Sequence, residues 1–431
     1  MVEEDNLGYI GKVRLFGRDA RLYIASSSVA SLSFGMSSVI FNLYLQEAHL
    51  TEDFIGFFLS ISMFATAGIA FIAGSITDRM SRKRVILLAN VVSFLALLIQ
   101  YTFLDSTFLL LSQVFFGLSI AFTQVSWSPF ITEISTDTER AHLFAFSSGL
   151  SMLAFLVGNL MGGYLPGIVS SVLGLGSSGS LLFPYRVVLW LSLIPNLVGI
   201  LLIVPMTRDT PTYSEVRMSL SNVHNWGFIV KFAASVSVVG LGAGVIVLYF
   251  NLFFANEFSA GSDVVGLIFA INMVVLSAGN FLSPAIADRI GKVRTVVLTE
   301  ALSIPFLLII WWAPSIELAV LGFVMRSAMM NMSGPVSTAF FMEGLNKEER
   351  ATAVGVVHTG DSFVRGVAAN IGGWLLAAGF YRLPYLLVSG LYVVAVVLFY
   401  AFFRNKEEEL EMLRRTEVVL KAPAEEAKDI T

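Results

Sequence analysis

Three ionisable residues interrupt an otherwise apolar run: His358, Asp361 and Arg365 stand three and four positions apart. On a helix turning about 100 degrees per residue they share one face, within about 60 degrees of one another. A fourth, Arg326, interrupts the preceding apolar run. A charge in hydrocarbon costs about 2.5 to 3.5 kcal/mol on insertion scales, so such side chains usually turn inward and are used. Counted from Ala351, Asp361 lies about 15 Å deep at 1.5 Å per residue, and Arg326 reaches a similar depth from the opposite surface. If Asp361 pairs with Arg365 and Arg326 stays free, the site is net positive and suits an anionic or carboxylate-bearing solute. Alternatively, Asp361 satisfies both arginines and pins its helix.

Asp361 is also the first candidate to carry a proton, with Glu300 second because it stands only about seven residues into its own run. Histidine ordinarily changes charge near neutrality, so His358 either tunes such coupling or is a hydrogen-bonded packing residue. The first half of the chain offers neutral groups instead: Ser27, Ser31, Gly35, Ser38 and Asn42 on one face, then Gln113, Gly117, Gln124 and Ser128 further on. Stripes of this kind either bury against neighbouring helices or face a ligand. The candidate binding set is therefore Arg326, Asp361, Arg365, His358, Asn42, Gln124 and Asn251.

The elements that must hold these residues are membrane helices. The 431 residues are 56% hydrophobic and 13% charged, which is far from a water-soluble composition. Apolar stretches of about twenty residues, long enough to cross a bilayer, recur throughout. They predict twelve spans: 21–46, 54–76, 84–104, 107–132, 142–165 and 185–205, then 228–255, 263–286, 293–312, 316–342, 351–379 and 384–403. The organisation that follows is an N-terminal arm (1–20), a first six-helix bundle (21–205), a polar linker (206–227), a second bundle (228–403) and a tail (404–431). Of the 27 Lys and Arg residues, 23 fall on one side of this map and only Arg186 and Arg382 on the other. The positive-inside rule then puts both termini in the cytoplasm. The arm lacks an apolar core and is not a cleavable signal peptide.

The two sixes repeat at an offset of 210: Asp53 maps to Asp263, Gly56 to Gly266, Asp78 to Asp288, Arg79 to Arg289, Arg84 to Arg294 and Glu133 to Glu343. Glu139, Arg140, Gly162 and Gly163 map in the same way to Glu349, Arg350, Gly372 and Gly373. With one gap, Phe41-Asn42-Leu43-Tyr44 also meets Phe250-Asn251-Leu252-Phe253. Equivalent helix ends at a constant shift are the mark of a parallel internal repeat.

Within that repeat, Gly74 to Arg84 contains Asp78-Arg79-Met-Ser81-Arg82-Lys83-Arg84, and Pro284 to Arg294 contains Asp288-Arg289-Ile-Gly291-Lys292-Val-Arg294. These resemble the loop signature of the major facilitator superfamily, with Ser81 and Pro284 replacing its glycines. The resemblance implies an all-α polytopic membrane protein, twelve transmembrane helices in two pseudo-symmetric bundles, working by alternating access as a monomer in the plasma membrane. It further implies a gate of Asp78, Arg79, Glu139 and Arg140, repeated as Asp288, Arg289, Glu349 and Arg350; plain positive-inside charge is the alternative. Gly149, Gly158, Asn159, Gly162 and Gly163 resemble the family's antiporter motif with Asn159 in place of proline, and close helix packing explains them equally well.

Other chemistry is poorly served. A net charge of -4 with scattered basic residues gives no nucleic-acid footprint, and the absence of cysteine removes thiolate metal sites and disulfides. Gly174 to Gly179 fits a dinucleotide fingerprint but follows no strand, Asn331 fits a glycosylation sequon inside a span, and no Walker loop or spaced histidine pair is present. Neither metal nor cofactor is expected. The expected partners are a small-molecule substrate, protons and membrane lipid.

Overall fold

The computed structural model describes residues 16–77, 80–136, 139–175, 179–207, 223–346 and 348–407, together with 409 and 412. Asp78 and Arg79, most of the linker, and nearly all of the arm and tail lie outside the described residues. The chain forms α1 (Arg18–Glu47), α2 (Glu52–Thr77), α3 (Arg82–Thr102), α4 (Ser106–Glu133), α5 (Arg140–Val172) and α6 (Leu182–Ile203). The second half runs α7 (Trp226–Ile246), a 3-10 turn (Val247–Tyr249), α8 (Phe250–Phe258), α9 (Ser262–Ile290), α10 (Lys292–Trp312), α11 (Ile316–Glu343), α12 (Arg350–Ala377) and α13 (Leu383–Phe403). α7, the turn and α8 make one broken span, so twelve spans result, as expected.

Two details differ from the sequence reading. The seventh span breaks after Gly240, Gly242 and Gly244, whose low helix propensity weakens the run. α5 continues to Val172 through the buried Pro166, because membrane helices accommodate an internal proline when neighbours cover it. Ten spans are long and apolar enough to cross a membrane by length and composition alone. α11 and α12 are the two that are not, and they are the helices that carry Arg326, His358, Asp361 and Arg365.

Both halves use one packing plan. α1 packs on α5 and α6, α4 on α2 and α3, and α3 on α6; likewise α7 packs on α12 and α13, α11 on α9 and α10, and α10 on α13. Across the halves, α2 lies on α12 and α5 on α9. Repeated glycines permit these crossings. A Cβ on Gly163 would meet Gly266 Cα at 2.9 Å, and one on Gly373 would meet Gly56 Cα at 2.7 Å. Within the halves, Gly158 and Gly162 take the backbone of α1, and Gly372 takes that of α7. The packing explanation of this glycine set thus accounts for Gly158, Gly162 and Gly163, whereas Gly149 faces open space.

The halves are latched near the end that carries residues 48–51, 259–261 and 378–382. Asn42 Nδ2 donates to the Leu248 carbonyl (2.7 Å) and to Asn251 Oδ1 (3.1 Å), while Asn251 Nδ2 donates to the Val39 carbonyl (3.2 Å). Each asparagine therefore reaches the carbonyl three residues before the other. Beyond it, Gln46 donates to Asn256 (3.1 Å) and Glu52 (3.0 Å), and the Tyr381 hydroxyl donates to Glu52 (3.0 Å). Burial and the Glu52 carboxylate push the Tyr381 phenol up to about 12, so this bond survives across physiological pH and weakens only in strong alkali.

At the opposite end the ion pairs described stay within one half. Arg82 meets Glu133, and Lys292 Nζ meets Glu343 at 2.7 Å, equivalent pairs in the two repeats. Among the described residues, no ion pair there joins the two halves.

Replacing Gly163 or Gly373 with valine forces the halves apart at the latched end. In this cysteine-free chain, an Asn256→Cys reporter is then expected to label faster with a membrane-impermeant thiol reagent added on that face; unchanged labelling would contradict the packing account.

Candidate functional site

Between the halves lies a cavity of about 570 Å³. It extends from Ser38 and Phe250, beside the latch, to Met342 and Val354, toward the unlatched end. Phe232, Phe250, Phe269, Phe323, Phe341 and Phe399 are part of its apolar wall, and Asn159, Asn272 and Asn331 supply amides. Among the described residues, four charged side chains reach it, Glu300 from α10, Arg326 from α11, and Asp361 and Arg365 from α12, and His358 lines it as well.

Arg326 is 3% exposed. Its Nη2 donates to the Tyr392 hydroxyl, and the guanidinium carbon lies 5.5 Å from the centre of that ring. Its Nε has no hydrogen-bond partner, and no carboxylate pairs with it among the described residues. Sequence reasoning did not single out Tyr392. The signal available was a hydroxyl-bearing aromatic within the most apolar span, where the oxygen needs a polar neighbour.

Asp361 pairs with Arg365, as the i,i+4 spacing allows: Nε donates to Oδ2 at 2.7 Å. Of the two arrangements open from sequence, the structure displays the one that leaves Arg326 without a carboxylate. The other oxygen, Oδ1, is buried without a hydrogen-bond partner, against the bare face of Gly240 on α7. A Cβ at that glycine would stand 2.1 Å from Oδ1. The seventh span thus leaves room for the carboxylate by omitting a side chain.

The remaining candidates are dispersed. His358 lines the cavity and is exposed there. Asn42 and Asn251 are buried in the latch and do not line the cavity, and Gln124 is exposed outside it. Asn159 does line it and accepts from Ser38 at 3.2 Å.

Of the residues expected to gate, Glu139 accepts the Thr136 backbone N–H at 3.1 Å, and Arg140 begins α5. Asp288 and Arg289 are exposed at the end of α9. Glu349 is buried and accepts from the His224 backbone N–H (2.9 Å) and ring (3.1 Å), and Arg350 donates to the Leu345 carbonyl at 3.3 Å. The repeated pairs Arg82–Glu133 and Lys292–Glu343 were not anticipated, although the 210 offset already equated Glu133 with Glu343.

A pseudo-twofold pair of membrane bundles around a central charged cavity defines the class as a secondary-transporter fold. The family description Major Facilitator Superfamily matches residues 23–231 and again 232–428, and the chain belongs to that family. It is 22% identical to an uncharacterized membrane protein of Saccharomyces cerevisiae (YJR124C), over 93% of this chain and 97% of that one. It is 24% identical to a probable 4-methylmuconolactone transporter of Cupriavidus pinatubonensis, over 75% of each chain. It is 20% identical to multidrug resistance protein 2 of Bacillus subtilis, over 64% of this chain and 68% of that one.

Among solved structures, an inward-facing, unoccupied bacterial homologue of the human lysosomal transporter Spinster superposes with a TM-score of 0.69 at 15% identity, covering 90% of this chain and 97% of that one. The human organic anion transporter MFSD10 gives 0.60 at 14%, covering 89% and 99%. At such identities these likenesses carry the fold alone. The protein is an integral membrane transporter of the major facilitator fold.

Gly240→Ala should push the Asp361 carboxylate out of its niche and cost about 1–3 kcal/mol, the usual range for overpacking. Thermal unfolding in detergent checks this. In an Asp361→Ala background the same change should cost much less, since the two residues share one space.

Proposed function

We propose that the protein carries a small organic anion, favourably a carboxylate with an apolar body, across the plasma membrane by alternating access. The observation behind this reading is Arg326, a buried guanidinium at the cavity wall with a free Nε and no carboxylate partner among the described residues. A buried charge lacking a partner is costly, and an anion that supplies one binds with much of that cost recovered. The phenylalanine wall and the volume suit a molecule of drug-like size whose charged end meets Arg326. That a relative is named as a transporter of 4-methylmuconolactone and a structural neighbour as an organic anion transporter agrees with this choice.

Asp361 and Arg365 act as the adjustable part of the site. Protonating Asp361 would release Arg365 into the cavity, and this is how we propose that a proton gradient assists uptake. Asp78, Arg79, Glu139, Arg140 and their repeat mates would close the cytoplasmic end in the alternate state. The excess of Lys and Arg on the side opposite the latch supports a cytoplasmic orientation for it. The structure then represents a cytoplasm-facing state, like its Spinster-type neighbour. The chain would work as a monomer, as a transporter and not as an enzyme. Loss of one latch contact favours the opposite state, since alternating access needs both ends to open in turn.

A thermal-shift screen of carboxylates, sugars and cationic drugs tests the substrate class, because a true ligand stabilises by mass action. Carboxylates should raise the melting temperature of the wild type and not of Arg326→Ala. Arg326→Lys should recover little, because an ammonium cannot reproduce the guanidinium's planar donor fork. Stabilisation by cations that survives Arg326→Ala would instead favour a carrier of amphipathic drugs. Asp361→Asn should abolish any response of liposome uptake to the Asp361 proton step while leaving carboxylate binding measurable.

A further inference from the structure

Of the asparagines that line the cavity, Asn331 donates to the Ser327 carbonyl at 2.7 Å, whereas Asn159 and Asn272 each keep a side-chain atom unused. Asn159 of α5 is 0% exposed and Asn272 of α9 is 8% exposed. The Asn159 Oδ1 accepts from the Ser38 hydroxyl at 3.2 Å, which leaves its Nδ2 buried without a partner among the described residues. The Asn272 Oδ1 is buried without a partner as well. One is a donor from the first half of the chain, the other an acceptor from the second. α5 and α9 run antiparallel between two contacts, the Gly163–Gly266 crossing and the Ser277–Met152 bond at 3.4 Å, and both asparagines lie between them. Counted from the glycine crossing, Asn159 is about 6 Å and Asn272 about 9 Å along its helix, so the two stand at nearly one level.

The register of α9 against α11 brings this pair to the depth of Arg326. Phe269 and Phe323 pack ring to ring with 5.8 Å between centres, and Asn272 and Arg326 each follow three residues later on parallel helices, about 4.5 Å further on. Both line the same cavity. A carboxylate cannot answer the Asn272 Oδ1, because it is itself an acceptor, and an apolar body answers neither amide. A hydroxyl is the smallest group that both accepts and donates, and it can take Nδ2 of one asparagine and Oδ1 of the other. We propose that Asn159 and Asn272 form a hydroxyl-binding subsite, so that the preferred solute is an organic anion that also carries a hydroxyl group. The carboxylate meets Arg326 and the hydroxyl meets the amides, which touch it from both halves at once. This proposal rests on the reading of Arg326 as the anion anchor and narrows the class of anion.

Thermal-shift titrations of the full-length protein in detergent compare phenylacetate with mandelate and with the ring-hydroxylated phenylacetates, which place one hydroxyl beside the carboxylate or across the ring. At least one hydroxylated acid should bind about tenfold or more tighter than phenylacetate, the difference expected when a buried polar atom gains its partner. Asn272→Leu and Asn159→Leu should each erase that preference and leave phenylacetate binding, with its dependence on Arg326, unchanged. Equal affinity for all the acids, or a preference that survives both variants, overturns the hydroxyl subsite and leaves the anion reading intact. If no acid binds through Arg326, the anion reading fails and melting without solute judges the amides. An amide kept unpaired for a ligand weakens the empty protein, and an apolar side chain of similar shape relieves it, so Asn272→Leu should then melt at or above the wild type. A lower melting temperature assigns Asn272 to the fold and sinks the subsite. Should Asn272→Leu fail to fold, Asn272→Ala, which adds no bulk, carries both measurements.

Discussion

A guanidinium withdrawn from water into a helix bundle has to be neutralised by something, and among the described residues Arg326 has the Tyr392 hydroxyl and ring against it and no carboxylate partner. Much of the second half can be understood around that imbalance. α13 supplies the tyrosine, α10 supplies Glu300, and α12 supplies a carboxylate already committed to Arg365. Gly240 leaves the space in which that carboxylate sits. Because Asp361 is held by its own helix, it is withheld from Arg326, which has no carboxylate partner among the described residues. The aromatic wall lowers the local dielectric and so raises the worth of a charged contact made there.

The two halves divide the labour. The first contributes Ser38, Phe155 and Asn159, neutral groups that shape the cavity, while every charged residue that lines it comes from the second. Duplication gave both halves one packing plan, and divergence placed the charge in one of them. The plan itself is kept by glycines at the crossings, where backbones approach to within the space of a methyl group. The centre of the latch, Asn42 with Asn251, is made of amides, which hold by directional hydrogen bonds and carry no net charge, while the Glu52 carboxylate stands outward of them. Such contacts can break and reform through a cycle without exposing an ion to lipid.

The repeat and the twelve spans were legible in the sequence because a bilayer imposes length and polarity on each helix separately. The i,i+4 pairing of Asp361 with Arg365 was legible for a related reason, since one helix suffices to define it. Span boundaries agreed within a few residues except at α5 and the seventh span, where proline and glycine act according to what covers them. Glu300 stands only about seven residues into its run, a spacing that by itself makes it a weaker candidate than Asp361. Its place on the cavity wall depends on how α10 is rotated against α11 and α13, which no single-helix pattern contains.

The same distinction separates Asn42 and Asn251 from the cavity residues. Their equivalence by repeat was visible in the chain, and a polar face suggested a ligand. Only the packing of one half on the other revealed that each asparagine bonds to the partner half's backbone. By itself the sequence determined that this chain crosses a membrane many times, in two related sets, with charge carried inside, because hydrophobic length and local spacing are properties of contiguous residues. The tertiary structure decided which of those charges are answered and which are left open. That outcome depends on helices distant in sequence meeting around one cavity, and on a few glycines setting how closely they meet.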